Sequence, residues 1–210
     1  MKRIIVSVIA VFFCAMSAFV SAAGLAEKVQ ETYRNTESFR ADFSQKTHVE
    51  LLDREVEEAG ELNFAKPGRF SIHYQGKRER QYLSNGKTLW IYHPREKEVE
   101  VIDDVQDVVA KEALVFLGGL GEMTQEFRVA EGKDGGLVLT PKSKSSPFTR
   151  LQLKIDPATF LVSEVVLFPK SGNQSRYIFS SARVNEPVAE GAFVFKKSGV
   201  KEIHPLGSDQ

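Results

Sequence analysis

The sequence predicts a mainly β fold of the α+β class: one antiparallel meander curling towards a barrel, with helices laid over its open side. Three observations predict it. Segments with strand patterning follow one another with short turns between them. The period departs from strand spacing in two places, near the N-terminus and in mid-chain, and both departures are apolar enough to need a surface to lie on. The hairpin over Tyr82 to Pro94, YLSNGKTLWIYHP, is apolar on both faces, whereas a half-solvated antiparallel hairpin is apolar on one.

In chain order, MKRIIVSVIAVFFCAMSAFVSAAG opens with Lys2 and Arg3, continues apolar from Ile4 to Val20 and ends on small residues. That is the pattern of a secretory signal peptide, expected to be cleaved after Ala22 or Ala23 rather than kept as an anchor. Residues 1–23 are then signal and 24–210 one domain. Leu25 to Ser38 is a predicted helix, with Leu25, Val29 and Tyr33 on one face. Phe39, Ala41 and Phe43 alternate with polar residues as a strand. GELNF and RFSIHY flank AKPG, whose Pro67-Gly68 reads as a hairpin turn. In the next hairpin Asn85-Gly86 predicts a two-residue type I′ turn, setting Ser84 opposite Lys87 and Tyr82 opposite Leu89. One face then carries Tyr82, Leu89 and Ile91, the other Leu83, Trp90 and Tyr92. A short strand follows at Glu98 to Ile102.

Between Asp103 and Phe127 a second helix is predicted, acidic at its start and stopped by Gly118, Gly119 and Gly121. Strands resume around Phe127 to Ala130, Leu137 to Thr140, Thr149 to Ile155, Leu161 to Phe168 and Arg176 to Val184, and AFVFKK adds a further candidate. Asp134-Gly135-Gly136, Asp156-Pro157 and Ser171-Gly172-Asn173 lie between them as turns.

Composition narrows the function. Cys14 is the single cysteine and leaves with the signal, so thiol catalysis, thiolate metal sites and disulfides are excluded from residues 24–210. Phe12 and Phe13 precede Cys14, a poor context for lipidation. The 28 basic and 28 acidic residues become two acids in excess once Lys2 and Arg3 are removed, which points to no nucleic-acid partner. His48, His73, His93 and His204 are scattered without metal-ligand spacing. There is no nucleophile elbow, and GGLGEM follows a helix and lacks a phosphate-loop ending. QGKRER at residues 75–80 is a local basic cluster suited to solvent or an acidic partner. An enzyme is therefore not expected. Apolar surface is in excess: of 15 phenylalanines only Phe12, Phe13 and Phe19 lie in the signal. A curled sheet fills its interior with such side chains or keeps a cavity, and composition does not distinguish the two.

Four motifs in order carry a resemblance. Phe39, Ala41, Phe43 and Gln45 form a Phe-x-Ala-x-Phe-x-Gln strand. Gly60 and Leu62 precede Lys66-Pro67. Ser84, Gly86, Lys87, Leu89, Trp90 and Tyr92 form a Ser-x-Gly-Lys-x-Leu-Trp-x-Tyr hairpin. Leu139 to Lys142 reads Leu-Thr-Pro-Lys. From about Leu25 to Phe195 the chain resembles the LolA-type outer-membrane lipoprotein carriers. The resemblance implies an incomplete, strongly curled antiparallel β-barrel with a helical lid over an apolar cavity. It implies a monomeric periplasmic shuttle of Gram-negative bacteria without a cofactor, taking triacylated lipoproteins from an inner-membrane ABC transporter to an outer-membrane receptor. Other readings are a related lipid-binding or acceptor module of the same fold, and a packed-core β-domain that binds protein partners; a lipid hydrolase ranks last.

The expected cavity wall comprises Phe43, Leu62, Phe64, Phe70, Ile72, Leu89, Ile91, Leu114, Phe116 and Leu117. The family commonly has a lid-holding arginine before the turn proline. Here that position is Lys66, with Arg69 close by as the other candidate latch, and Ile72 stands where the family has tryptophan. One face of the 82–92 hairpin is expected to look into the cavity or onto its helices, the other to be covered or to dock a partner.

Overall fold

The computed structural model describes residues 22–103, 119–196 and 198–204. Helix α1 spans Ala22–Arg34 and buries Ala26, Val29 and Tyr33, with Leu25 half-buried beside them. This is the predicted apolar face, but the helix stops at Arg34, short of Ser38. The last carbonyls of a helix need outside donors, and those of Tyr33 and Arg34 receive the ammonium of Lys66.

The first run of strands is β1 (Ser38–Val49), β2 (Arg54–Ala65), β3 (Arg69–Gln75), β4 (Arg80–Ser84), β5 (Leu89–His93) and β6 (Glu98–Ile102). The second follows the short helix α2 (Met123–Glu126): β7 (Phe127–Glu131), β8 (Leu137–Pro141), β9 (Phe148–Ile155), β10 (Val162–Pro169) and β11 (Gln174–Val184). Lys201–Ile203 forms β12. Together they make one twelve-stranded sheet in the order β12-β6-β5-β4-β3-β2-β1-β11-β10-β9-β8-β7. Two antiparallel meanders are thus joined where β1 pairs β11, and among the described residues only β12 on β6 is parallel. The order ends on β12 and β7 rather than closing, which makes the sheet open. Residues 104–118, where the second helix with Leu114, Phe116 and Leu117 is predicted, lie outside the described residues. Beyond them, Gly119–Glu122 forms a 3-10 turn leading into α2.

Three departures from the sequence reading have physical causes. The 82–92 hairpin has a four-residue loop, with Ser84 opposite Leu89 and Tyr82 opposite Ile91. The Asn85 side chain accepts the backbone N–H groups of Lys87 and Thr88, 2.9 Å each, and only Gly86 adopts positive φ. The slip is two residues, so each side chain keeps its predicted face. Secondly, β2 begins at Arg54, and β1–β2 is paired over its whole length from Ser38↔Ala65 to Val49↔Arg54. Its first half is masked in sequence by glutamates, because an inward-facing position holds Glu58. Thirdly, residues 192–196 of AFVFKK form no strand. Glu190–Phe193 makes a 3-10 turn that buries Phe193, Phe195 lies 5.0 Å from the Tyr92 ring, and the chain then adds β12. This C-terminal strap packs on β3 and β4, on the side of the hairpin that carries Leu83, Trp90 and Tyr92. Tyr82, Leu89 and Ile91 turn the other way, into an aromatic cluster. A hairpin between two apolar coverings needs two apolar faces.

Candidate functional site

Strand alternation gathers the expected wall on one side of the sheet. Phe39, Ala41 and Phe43 of β1, Leu62 and Phe64 of β2, Phe70 and Tyr74 of β3 and Leu89 of β5 form one buried cluster. Ile72, Tyr82, Ile91, Ile102, Tyr177 and Phe179 pack against it while half-buried. Of the ten residues named from sequence, Phe43, Leu62, Phe64, Phe70, Ile72, Leu89 and Ile91 are therefore brought together; Leu114, Phe116 and Leu117 fall outside the described residues. Gly60 makes the closest packing possible. A Cβ there would lie 2.8 Å from the tip of the Phe43 ring and 2.1 Å from the His73 carbonyl oxygen. The same sheet side continues across β11 into a second cluster, where α1 rests on Leu137, Leu139, Leu151, Leu153 and Val165.

At one end the apolar face gives way to polar groups. The Arg80 guanidinium donates from Nη1 to Glu58 Oε1 (2.5 Å) and from Nη2 to Glu58 Oε2 (3.2 Å), and lies 3.6 Å from the centre of the Tyr74 ring. The Tyr74 hydroxyl donates to Gln45 Oε1 at 2.8 Å. Burial, with Tyr177 alongside, pushes the Tyr74 phenol far above its ordinary range. For Arg80, burial opposes the charge, but the hydrogen bonds it donates to Glu58 and Tyr82 outweigh it and raise its pKa.

The helical cover is tied to the sheet at its ends. Lys66 Nζ donates to the carbonyls of Arg34 (2.6 Å) and Tyr33 (3.3 Å), at the negative end of the α1 dipole. The preceding chain is fixed as well, since the Lys66 N–H donates to the Glu37 carbonyl at 2.9 Å. Lys142 of the Leu-Thr-Pro-Lys motif does the equivalent for α2: its Nζ donates to the Thr124 carbonyl at 2.8 Å. Gln30 Oε1, buried on α1, accepts both the N–H and the hydroxyl of Thr124. The Tyr33 hydroxyl accepts the Val162 N–H at 3.1 Å, and burial pushes its phenol up to about 12.

Arg69 has a different station from Lys66. Its Nη1 donates to Glu190 of the strap at 2.7 Å, its Nη2 to the Lys66 carbonyl at 2.9 Å, and its guanidinium lies 5.3 Å from the Phe193 ring. Sequence reasoning named Lys66 and Arg69 but missed Lys142, Gln30 and Tyr33. Lys142 was within reach, because its motif resembles the family's; Gln30 carries no signal beyond sitting one residue from the apolar stripe of α1. Among the described residues no group of three or more His, Cys, Asp or Glu is placed to hold a metal.

The family described as "Outer membrane lipoprotein carrier protein LolA" matches residues 34–196. An outer-membrane lipoprotein carrier protein of Azotobacter vinelandii is 27% identical over 173 residues, 81% of this chain and 83% of the relative. Another, of Hahella chejuensis, is 26% identical over 190 residues, 87% of this chain and 88% of the relative. Among solved structures, an uncharacterised conserved protein of Thermus thermophilus superposes with a TM-score of 0.55 at 10% identity, covering 87% of this chain and 98% of its own, a likeness of fold alone. With a family match over most of its length and relatives aligned nearly end to end, the chain belongs to the outer-membrane lipoprotein carrier family, LolA.

Proposed function

We propose that the protein shields the acyl chains of triacylated lipoproteins in the periplasm, taking them from an inner-membrane ABC transporter and delivering them to an outer-membrane receptor. The observation that carries the reading is the single apolar face from Phe39 to Ile102, lying on the same sheet side as the helical cover. Each CH₂ withdrawn from water contributes about 0.8 kcal/mol, so unshielded acyl chains do not cross an aqueous compartment at a useful rate. In the closed form the protein buries its own apolar face. Acyl chains must compete with that burial, which keeps affinity moderate and release feasible. No chemistry is asked of the protein, and the reading needs no cofactor. The family match and the relatives' names support the reading.

Two measurements test it. Protein purified from periplasm should carry acylated polypeptides detectable by mass spectrometry, and should release them to membranes holding the receptor. Ile72→Asp, at a half-buried position on the apolar face, should weaken binding of a fluorescent apolar probe at least tenfold while circular dichroism stays unchanged. Global unfolding of that variant would favour a packed core over a carrier. Protein that never carries acylated polypeptides would defeat the proposal outright.

A further inference from the structure

The β1–β2 hairpin turns over at Glu50–Leu52, and there the burial rule is broken. Leu51 is 92% exposed and Leu52 56% exposed, on a convex tip. The tip is not slack. The Glu50 N–H donates to Asn173 Oδ1 at 3.1 Å, and the Glu50 side chain lies against Gly172 of the β10–β11 turn. Asp53 closes the turn in the left-handed region at φ 42°.

The charges around this tip are sorted. Lys46 occupies Glu55 and Glu57 at 2.6 and 3.7 Å, Arg80 occupies Glu58, and His73 occupies Glu79 at 3.2 Å. Asp53 meets His48, at 3.9 Å. Arg54, Lys77 and Arg78 are exposed and line, together with the already paired Glu55, Glu57 and Glu58, one groove of about 290 Å³ beside the hairpin; the three cations have no carboxylate within ion-pair distance among the described residues. Lys77 and Arg78 belong to the basic QGKRER cluster, for which the carrier reading has no use.

We propose that this end of the sheet touches an anionic phospholipid bilayer: Leu51 and Leu52 enter the headgroup region while Arg54, Lys77 and Arg78 meet lipid phosphates. A convex apolar tip flanked by unpaired cations has the chemistry of a peripheral membrane contact. Two leucines and three cations hold weakly and reversibly, and Glu50 and Asp53 limit the hold further. The inference goes beyond the carrier reading and stands without it.

The test uses the signal-free protein, which has no cysteine of its own. An environment-sensitive fluorophore at Asp53→Cys reports on the tip without touching either leucine. Vesicles of 3:1 phosphatidylethanolamine and phosphatidylglycerol should shift its emission to the blue. The Leu51→Ser/Leu52→Ser pair should abolish the shift. Arg54→Gln/Lys77→Gln/Arg78→Gln, 0.5 M salt, or neutral phosphatidylcholine vesicles should each weaken it about tenfold. No shift with anionic vesicles would overturn the proposal and give the leucines to a protein pocket; a shift that survives the serine pair, or that is equal on neutral vesicles, would overturn it too. Binding of an apolar probe to the inner face, measured on the same proteins, separates the two proposals. Unlabelled protein that binds the probe but leaves vesicles untouched sinks only the membrane contact, and protein that touches vesicles but binds no probe sinks only the carrier reading.

Discussion

Lys66 stands at the last two carbonyls of α1, so its loss is felt at one helix end and nowhere in the core. Its two bonds are each worth roughly 0.5–1.5 kcal/mol net, with the charge on the donor favouring the upper part of that range. Under the carrier reading they stabilise the closed, empty form. Lys66→Ala should therefore bind a lipoprotein at least as well as the parent and pass it on poorly, leaving loaded carrier in the periplasm; Lys66→Arg should restore transfer. Normal transfer by Lys66→Ala would remove the latch role. Arg69 is then a poor substitute, because it bonds the strap and the Lys66 carbonyl instead of α1. Tyr33 offers a second residue-scale test. Its phenol titrates near 12 in the folded protein, against about 10 in an unfolded chain. Above pH 10 the unfolded state holds fewer protons than the folded one, so stability, full below pH 10, falls as pH rises towards 12. Tyr74 and Tyr177 are raised in the same direction, also through burial. In urea titrations, Tyr33→Phe should lower stability at pH 8 and flatten the alkaline decline without abolishing it. An unchanged slope between pH 10 and 12 would show that Tyr33 is not the group responsible.

At the scale of elements, Gly60 marks where two strands and a ring meet. A methyl at that position is 2.8 Å from the Phe43 ring tip and closer still to the His73 carbonyl, and the latter is backbone in a paired strand. Gly60→Ala should lose about 1–3 kcal/mol, as overpacking does, read as a lower urea midpoint at an unchanged m-value; a neutral result would mean that β2 and β3 separate freely there. The strands themselves were legible because alternation survives wherever one face is buried, as at Phe39, Ala41 and Phe43. Legibility failed where polar groups do the packing. The first half of β2 reads as charge because Glu58 faces inward to meet Arg80. The turn at Asn85-Gly86 reads as a tight hairpin, yet Asn85 spends its side chain on two loop N–H groups. The strap was hidden for another reason. Phe193 and Phe195 look like alternate residues of a strand, but they pack on Arg69 and Tyr92 without a ladder. In the site, the apolar wall was legible from alternation and resemblance together. The ties of Lys142, Gln30 and Tyr33 depend on which helix lies where, and a linear pattern does not contain that.

Over the whole molecule, the two clusters differ in kind. Leucines and valines of β8–β10 are closed under α1, with Leu139, Leu151 and Val165 fully buried. The face of β1–β6 is aromatic and retains half-buried Ile72, Tyr82, Ile91 and Ile102. A carrier of this build should place its cargo on the second face and keep the first as a fixed frame, with Tyr177 and Phe179 shared between them. The single tryptophan makes that testable. Trp90 lies on the side of β5 opposite Leu89 and Ile91, the same side as Tyr92 and the strap, so cargo on the apolar face should leave its fluorescence nearly unchanged. Ile72→Trp with Trp90→Phe moves the reporter to the apolar face, to the position where the family commonly has tryptophan. Its emission should shift to the blue as a lipoprotein is added. The melting temperature should rise along the same titration, since a ligand at one hundred times its Kd stabilises by about 2.7 kcal/mol. Were Trp90 to respond in the parent protein while the residue-72 reporter stayed silent, cargo would lie under the strap, and the apolar face of β1–β6 would be a packed core.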